Sequence, residues 1–391
     1  MKHKTVPENT LFFLPRTEKR DTHGQVARQG AELALEEINR AGGINGRQVA
    51  AIFEDSKAEP GVGVEAARKL VRQDKVDAVL GIISSGVAPP VSAAMNELKT
   101  PLIITTAMNP VVTGAKCNRY TFRVESSSLQ RMKATALLAK QVNAGRWTTI
   151  GPDYALGHDS WKMFKQYLQE LNPSATFVPD SQVVFAPLTT TDWEPQIRKL
   201  MDTKADGVLV TLWGGNFMDF VRQGQRMGLF KEKRSMVSPV VGTYELLNLG
   251  LDMPQGLWIC SSYWPQANPS GVDKGFVEAY MEKYGSPPGY ITAFAYAGVK
   301  VYAQAAAAAG SADKESVVKA LEGLSINSPV GKLLIRPEDH QGVFDLIGGK
   351  VSKEVAITQR KRPYRKLESV ILFPGPEVTP SVEETQCKMN Q

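Results

Sequence analysis

The sequence predicts an α/β protein made of two doubly wound, parallel-sheet modules. Short apolar runs alternate with amphipathic helical stretches over the first 113 residues, and this βαβ order with short connections is typical of a right-handed parallel sheet. The same order starts again after Arg123 and continues to about Met227. With 391 residues, the chain also exceeds what one hydrophobic core usually serves, so two domains are expected.

The first module alternates strand and helix with short connections. The predicted strands lie at 11–14, 49–54, 77–80 and 101–104, and the predicted helices at 24–40, 60–73 and 87–98. In the first helix, Ala27, Ala31 and Ala34 recur at the spacing of one helical face. This helix is expected to end at Gly42-Gly43, because glycine commonly terminates helices.

The second module follows the same pattern less regularly. Its predicted strands lie at 147–150, 177–178, 183–184 and 207–212, and its predicted helices at 129–143, 193–201 and 214–227, with a further helix around Trp161, Phe164 and Leu168. From Val272 the chain is helical again, over 274–284, 290–309 and 314–324. Beyond Pro329 we expect short strands and turns.

The composition is that of an ordinary globular protein, with 42% hydrophobic and 22% charged residues and a mild net charge of +6. Its apolar runs are too short to span a bilayer. Three cysteines without a C-x-x-C pair and four scattered histidines do not suggest a zinc site. The sequence has no G-x-S-x-G elbow, no Walker A loop and no G-x-G-x-x-G after a strand. We therefore expect neither an enzyme nor a bound cofactor or metal.

The dense basic run at 359–366 is expected to be a solvated turn between two strands. A nucleic-acid or membrane patch is the alternative, but no nucleic-acid motif accompanies the run. The sequence leaves the compartment open. Residues 1–21 start basic, but their apolar segment Thr10–Leu14 is too short for a secretory signal, so either an export signal has been removed or lost, or the protein stays in the cytosol. In an oxidising compartment Cys117 and Cys387 could pair, although the spacing does not place a disulfide.

The stretch 81–113 carries the strongest functional signal. Ser84 and Ser85 follow the third predicted strand, and the loop 105–109 follows the fourth. In a parallel sheet both loops lie at the carboxyl edge, where such sheets bind ligands. Their hydroxyls and free backbone N–H groups suit a small carboxylate. The alternatives are an N-cap role for either serine and a turn role for Asn109.

Two aromatic residues occupy the corresponding loops of the second module. Tyr154 follows the strand at 147–150, and Trp213 follows the strand at 207–212. We expect both to face a cleft between the modules, with Trp213 as a stacking platform, although Trp213 could instead be the last core residue of its strand. Two modules around a cleft describe a hinged binding protein, but enzymes use the same geometry.

Several motifs in register resemble the type I periplasmic binding proteins, and in particular the leucine/isoleucine/valine-binding receptors of ABC importers. The motifs are 30–39, 41–47, 54–56, 81–86, 101–109, 120–123 and 151–157. The resemblance spans about Gly24 to the C-terminus. It implies two lobes joined by a three-strand hinge, which makes each lobe discontinuous. Residues 1–123 plus 262–328 would form lobe 1, and residues 124–261 plus 329–391 would form lobe 2.

The resemblance also implies which residues hold the ligand. In this family the serine loop binds the ligand carboxylate, the loop after the fourth strand adds backbone and hydroxyl contacts, and an aromatic residue of lobe 2 closes over the ligand. The matching positions in this chain, together with their neighbours, are Ser84, Ser85, Ala107, Met108, Asn109, Tyr154, Trp213, Thr243 and Tyr244.

The activity implied by the resemblance is that of an extracytoplasmic solute receptor. Such a receptor closes on an amino acid or a similar small carboxylate and docks on ABC permease subunits, with an ATPase supplying energy on the far side of the membrane. A periplasmic location follows from this resemblance. A cytosolic ligand-sensing regulator on the same fold is the alternative, which the missing signal segment supports.

Two departures from the family pattern bear on the ligand. The acid that receives a ligand ammonium would fall near 240–244, where the chain has Val-Val-Gly-Thr-Tyr and Glu245 is slightly displaced. A buried ammonium needs an acceptor, so an aromatic acid, or an amide such as urea, is an alternative to an amino acid. The first cleft loop, 15–23, is basic and bulky. It could block the cleft, leave it incomplete, or recruit an anion through Arg16 or Arg20.

Overall fold

The computed structural model describes residues 10–14, 22–232, 234–265, 267 and 271–389. The strands in these ranges are β1 (Thr10–Leu14), β2 (Ala50–Phe53), β3 (Val79–Gly81), β4 (Leu102–Ile104), β5 (Thr121–Arg123), β6 (Arg146–Pro152), β7 (Thr176–Phe177), β8 (Val184–Ala186), β9 (Gly207–Val210), β10 (Ser235–Ser238), β11 (Trp258–Ser261), β12 (Ser325–Ser328), β13 (Gly331–Ile335), β14 (Gly342–Val343), β15 (Leu346–Ile357) and β16 (Pro363–Phe373). The helices are α1 (Thr22–Arg40), α2 (Pro60–Arg72), α3 (Ala88–Glu97), α4 (Ser128–Ala139), α5 (Ala155–Leu171), α6 (Glu194–Asp202), α7 (Gly214–Met227), α8 (Thr243–Leu249), α9 (Gly271–Tyr284), α10 (Tyr290–Ala309), α11 (Lys314–Leu321), α12 (Gly375–Val378) and α13 (Val382–Thr385).

The first sheet contains β1 to β5, all parallel, in the order β2-β1-β3-β4-β5. Because the chain order reverses between β1 and β3, the loops after these strands open a crevice at the carboxyl edge. Helix α10 packs against α1 and lies on β3 and β4. Gly30 permits the close approach of the two helices, since a β-carbon there would lie 2.2 Å from the Thr292 carbonyl oxygen. We call this sheet and the helices packed on it the first lobe.

The second sheet has the order β16-β15-β11-β10-β9-β6-β7, and β8 also pairs with β6. Its strands are parallel from β11 to β7, whereas β15 and β16 are antiparallel additions. This sheet and the helices packed on it, α4 to α8, form the second lobe. The predicted fold class of two doubly wound α/β lobes is confirmed.

The β15–β16 hairpin is longer than the short strands that the sequence predicts beyond Pro329. Many of its side chains are exposed, so charged residues interrupt the apolar pattern on which that prediction relied. The helix predicted at 129–143 also ends early, at Ala139. The short strands β10 and β11 and the seven-residue helix α8 were missed, because such short segments give little periodic signal.

The C-terminal segment returns from the second lobe to the first. After β16, α12 packs against α4, and α13 packs against the turn at Pro110–Thr113. Cys387 forms a disulfide with Cys117, with 5.6 Å between the Cα atoms, which is the pairing that the sequence left open. Within the described ranges, the helices lack the length and apolar character that a bilayer crossing requires.

Candidate ligand-binding site

The loops after β3 and β4 form one hydrogen-bonded unit at the carboxyl edge of the first sheet. Met108 N–H donates to Ser85 Oγ (3.1 Å), and Asn109 Nδ2 donates to the Ser85 carbonyl oxygen (3.1 Å). Ala107 N–H donates to the Ile82 carbonyl oxygen (2.9 Å). Ser85 is exposed and its oxygen accepts from Met108, so its own hydroxyl hydrogen is available to a ligand.

The N-cap role considered for the two serines is not observed, whereas the turn role considered for Asn109 is. Neither serine caps α3 through its side chain, because the helix begins with backbone N–H groups bonded to the Ser84 carbonyl oxygen. Asn109 does hold a turn, since its Oδ1 accepts from Val111 N–H (3.1 Å). Its Nδ2 contact with Ser85 shows that the same side chain also joins the two loops.

Tyr154 and Trp213 are neighbours at the carboxyl edge of the second sheet. Trp213 Nε1 donates to the Tyr154 hydroxyl (3.2 Å). Each residue immediately precedes a helix, Tyr154 before α5 and Trp213 before α7. Tyr154 is 37% exposed and Trp213 is half-buried, so Trp213 is a loop residue rather than part of the enclosed core.

His23, at the start of α1, brings the edges of the two lobes together. Its ring centroid lies 5.9 Å from that of Trp213 and 5.3 Å, edge on, from that of Tyr244. His23 is not among the site residues predicted from the sequence, because nothing in the sequence shows which loops of the second lobe face the first turn of α1. His23, Trp213, Tyr244 and Tyr154 therefore form a continuous row of rings across the lobe boundary.

The displaced acid, Glu245, is buried in the first turn of α8. One of its carboxylate oxygens accepts from Gly214 N–H (3.0 Å) and the other from Gly242 N–H (2.9 Å). The side chain thus ties the start of α7 to the start of α8. The residues at 240–244, where the family resemblance implies an acid, carry no carboxylate, and Val240 is buried and apolar. Each oxygen of Glu245 is already engaged by a backbone N–H, so the site holds no unengaged carboxylate for a ligand ammonium.

A cavity of about 290 Å³ lies between the lobes beside this row of rings. We call it the seam cavity. Its walls come from the start of α1, the α9–α10 connection, α8 and the turn of the β15–β16 hairpin. Thr243 and Tyr244 line it, whereas Ser84, Ser85, Ala107, Met108, Asn109, Tyr154 and Trp213 lie outside its lining. The predicted site residues therefore fall into a first-lobe loop unit, an aromatic pair and the seam cavity.

A larger cavity, of about 530 Å³, lies on the second lobe beside α5. Its lining includes Trp161, Phe185, Lys162, Lys165 and Lys199, and none of the predicted site residues. Lys165 is paired with Asp180 (2.8 Å), and Lys199 donates to the Val183 carbonyl oxygen (2.9 Å). Because two of its three lysines are already engaged, we do not place the ligand there.

Three chain connections link the lobes, and buried polar side chains join them. Glu125, just after β5, accepts from Arg131 (3.1 Å) and from Ser262 of the second connection (3.0 Å). Gln341 of the third connection donates to the Glu125 carbonyl oxygen (2.9 Å). Burial raises the pKa of Glu125, and the charge of Arg131 opposes that rise. This cluster was not predicted from the sequence, because Ser262 and Gln341 are far from Glu125 in the chain.

Comparison with known proteins agrees with this architecture. The family model described as "Periplasmic binding protein" matches residues 12–355. The leucine-, isoleucine-, valine-, threonine- and alanine-binding protein of Pseudomonas aeruginosa is 26% identical over 344 residues, covering 87% of this chain and 88% of that protein. The Leu/Ile/Val-binding protein homolog 1 of Brucella abortus is 29% identical over 314 residues, covering 79% and 80% respectively.

Solved structures show the same fold at low sequence identity. An amino acid ABC transporter substrate-binding protein from Pseudomonas fluorescens Pf-5 has a TM-score of 0.84 and 22% identity, covering 97% of this chain and 98% of its own. A solute-binding protein from Rhodopseudomonas palustris BisB5, solved with 3,4-dihydroxybenzoic acid, has a TM-score of 0.82 and 23% identity, with coverages of 94% and 97%. The family consists of transporter solute receptors rather than enzymes. The family model matches this chain over most of its length, and the chain has the two doubly wound lobes. This chain therefore belongs to the periplasmic binding protein family.

Proposed function

We propose that this protein is the solute receptor of an ABC importer and that it closes its two lobes on a small carboxylate. The observation that carries the proposal is the exposed Ser85 hydroxyl, held by Met108 at the carboxyl edge of the first sheet. The Ser85 hydroxyl receives the ligand carboxylate, and the loop 107–109 positions it, because the N–H groups of Ala107 and Met108 are already bonded to Ile82 and Ser85. Tyr154 and Trp213 cover its apolar body from the second lobe, so the two ends of a small ligand are held by different lobes.

We assign residues 1–123 and 262–328 to lobe 1 and residues 124–261 and 329–391 to lobe 2. The assignment is supported by the ends of β5 at Arg123 and β11 at Ser261, and by α9, whose Tyr280 hydroxyl donates to Gln29 of α1 (2.6 Å). The last residues straddle the boundary because of the disulfide to Cys117. The lobes close as a hinge about the three connections, and contacts made only in the closed state favour closure.

The ligand is a carboxylate without an ammonium group, such as an aromatic acid. A buried ammonium needs an acceptor. Val240 supplies none, and both oxygens of Glu245 are bonded to backbone N–H groups. The row of rings from Tyr154 to Tyr244 suits a planar apolar body. A branched-chain amino acid is the second possibility, and the names of the sequence relatives favour it.

A thermal-shift screen tests the proposal. The panel contains para-hydroxybenzoate, benzoate, leucine, isoleucine, valine, benzamide and urea. A ligand present at about a hundredfold excess over its dissociation constant adds about 3 kcal/mol to the free energy of unfolding, which is readily detected. We expect the aromatic acids to raise the melting temperature and the amides and urea not to. No response to any acid or amino acid would remove the proposed function.

The proposed location is outside the cytoplasm, with permease subunits as partners of the closed form. The disulfide between Cys117 and Cys387 supports an oxidising compartment. Fractionation of cells that express the native gene would test this. Recovery of the protein in the periplasmic fraction is expected, whereas cytosolic recovery would favour the ligand-sensing regulator.

A further inference from the structure

The seam cavity has one basic wall that belongs to the second lobe. Arg360 and Arg362 lie in the turn of the β15–β16 hairpin, and both line the cavity. Neither guanidinium has an ion pair or a hydrogen bond with a described residue. Two cationic side chains without acceptors on one small cavity make it a place where an anion is favoured.

The rest of the basic run has other contacts. Arg365 donates to the carbonyl oxygens of Met253 and Leu251 (both 3.0 Å), and Lys366 pairs with Glu354 (3.2 Å). Arg365 thus fastens the hairpin to its own lobe, and Lys366 joins the two strands of the hairpin. Lys361 occupies the same turn as the two arginines but is not part of the cavity lining. The run therefore divides into structural residues and a pair that faces the seam.

The first lobe supplies the opposite wall at close range. Arg360 packs against Gly285 in the α9–α10 connection, where a β-carbon would lie 3.2 Å from Arg360 Nε. Tyr280 and Tyr284 of α9 line the same cavity, next to His23 of α1. The hairpin turn thus reaches across to the first lobe, and a group bound in the cavity would contact both lobes.

Several hydrogen-bond donors around the cavity are available. Thr243 is buried and lines the cavity, and its hydroxyl has no hydrogen-bond partner among the described residues. The acid in the lining is Glu245, whose two oxygens are already bonded to Gly214 and Gly242. An anionic group would use the free donors of Thr243, Arg360 and Arg362, and the two arginine charges would oppose repulsion from Glu245.

We propose that the seam cavity is a subsite for a second anionic group of the ligand and that Arg360 and Arg362 select ligands that carry one. This inference rests on the proposed function. The row of rings through Trp213, His23 and Tyr244 leads from the aromatic pair to the cavity. A ligand whose first carboxylate is held at Ser85 would lay its apolar body along these rings and place its other end near the arginines. The favoured class is therefore a small aromatic diacid.

Calorimetric titration with matched ligands tests the subsite. Terephthalate is compared with para-carbamoylbenzoate, and the longer 4,4′-biphenyldicarboxylate with 4′-carbamoylbiphenyl-4-carboxylate, so each pair differs in one carboxylate against a neutral amide of similar shape. We expect the diacid of at least one pair to bind about tenfold or more tightly, the factor typical of a hydrogen bond to a charged group. The double variant Arg360→Gln/Arg362→Gln should bring that ratio close to one. Lys361→Gln, the control that removes a charge from the same turn, should leave the ratio unchanged.

The outcomes separate the two proposals. The subsite proposal is wrong if monoacids and diacids bind with equal affinity, or if the Arg360→Gln/Arg362→Gln variant keeps the diacid preference. The proposed function as a solute receptor is unaffected by either result. If Lys361→Gln lowers the diacid preference as much as the double variant does, the preference comes from the overall positive charge of the turn. The assignment to the two arginines then fails. If no aromatic carboxylate or amino acid binds at all, the proposed function fails and the subsite with it.

Discussion

At the residue scale, Ser85 is the side chain on which the ligand assignment depends most. Its oxygen accepts from Met108, and its hydrogen is free to donate to a carboxylate. Ser85→Ala should lower ligand affinity by about 1–3 kcal/mol, the usual loss of a hydrogen bond to a charged group. Titration calorimetry measures the change, and the exposed Ser174→Ala on the second lobe is the control. Unchanged affinity in Ser85→Ala would exclude Ser85 from the site.

His340 is a second residue with a measurable consequence. It is fully buried, its Nδ1 lies 3.1 Å from the Thr121 carbonyl oxygen, and its ring stacks on Phe122 with 3.9 Å between centroids. Burial lowers its pKa from 6.5 to about 4. Between these values the unfolded chain binds the proton more readily than the folded one, so this residue destabilises the fold progressively as the pH falls from about 6.5 to about 4.

The pH dependence of stability tests this lowered pKa. The total loss from His340 should be about 3 kcal/mol, because each pH unit of the shift contributes about 1.4 kcal/mol. His340→Asn keeps a residue type that tolerates the left-handed backbone (φ 59°) and removes the titration. Denaturant unfolding at several pH values should show a shallower decline for this variant than for the native chain. Parallel declines would show that His340 does not carry the effect.

At the element scale, the C-terminal tail with α12 and α13 depends on its disulfide. Cys117 and Cys387 are 270 residues apart, and cross-links that close long loops stabilise most in the chain-entropy account. Cys117→Ser/Cys387→Ser should lower the free energy of unfolding by about 2–5 kcal/mol. The midpoint temperature of thermal unfolding should fall by several degrees when the native protein is reduced. The midpoint of the double variant should not change with the reductant. Equal responses of both proteins would contradict the pairing.

The helices show what the sequence can and cannot predict. Helix α10 was predicted with its observed bounds, because glycines at 289 and 310 flank a long alanine-rich run. Helix α8 was missed, although it holds Glu245 and two predicted site residues, since seven residues give too little periodicity. The basic run at 359–366 was predicted as a turn between two strands, and the turn is correct only as far as Arg362, because β16 begins at Pro363. Its contact with Gly285 was not predicted, because a local pattern does not say which surface of another lobe a hairpin reaches.

At the scale of the whole molecule, the three connections between the lobes share the buried pair of Glu125 and Arg131. Glu125→Gln should destabilise the protein by about 3–5 kcal/mol, because it leaves the Arg131 charge buried without its partner. Chemical denaturation measures this loss. The control Glu278→Gln, on the exposed face of α9, should change stability by no more than about 0.5 kcal/mol. Similar small changes in both variants would mean that the pair does not stabilise the connections between the lobes.

The placement of the hydroxyl loops on one sheet and of the aromatic loops on the other was predictable from the sequence, since these loops follow successive strands of separate modules. The proposed class of ligand follows from the sequence only in outline. It depends on Glu245, whose carboxylate the structure places on the backbone of Gly214 and Gly242, and on His23, which crosses the lobe boundary. Long-range contacts of this kind leave no trace in spacing or composition.

The central claim is that the proposed interlobe site takes a small carboxylate and holds no unengaged carboxylate, among the described residues, for an ammonium group. Its most direct test is calorimetric titration with two matched pairs, hydrocinnamate against phenylalanine and isocaproate against leucine, in which the members differ only in the ammonium. We expect the acid of at least one pair to bind, and to bind at least about tenfold more tightly than its amino acid, since an unpaired buried ammonium costs more than 1.4 kcal/mol. Tighter binding of leucine or phenylalanine than of the matching acid would contradict the claim.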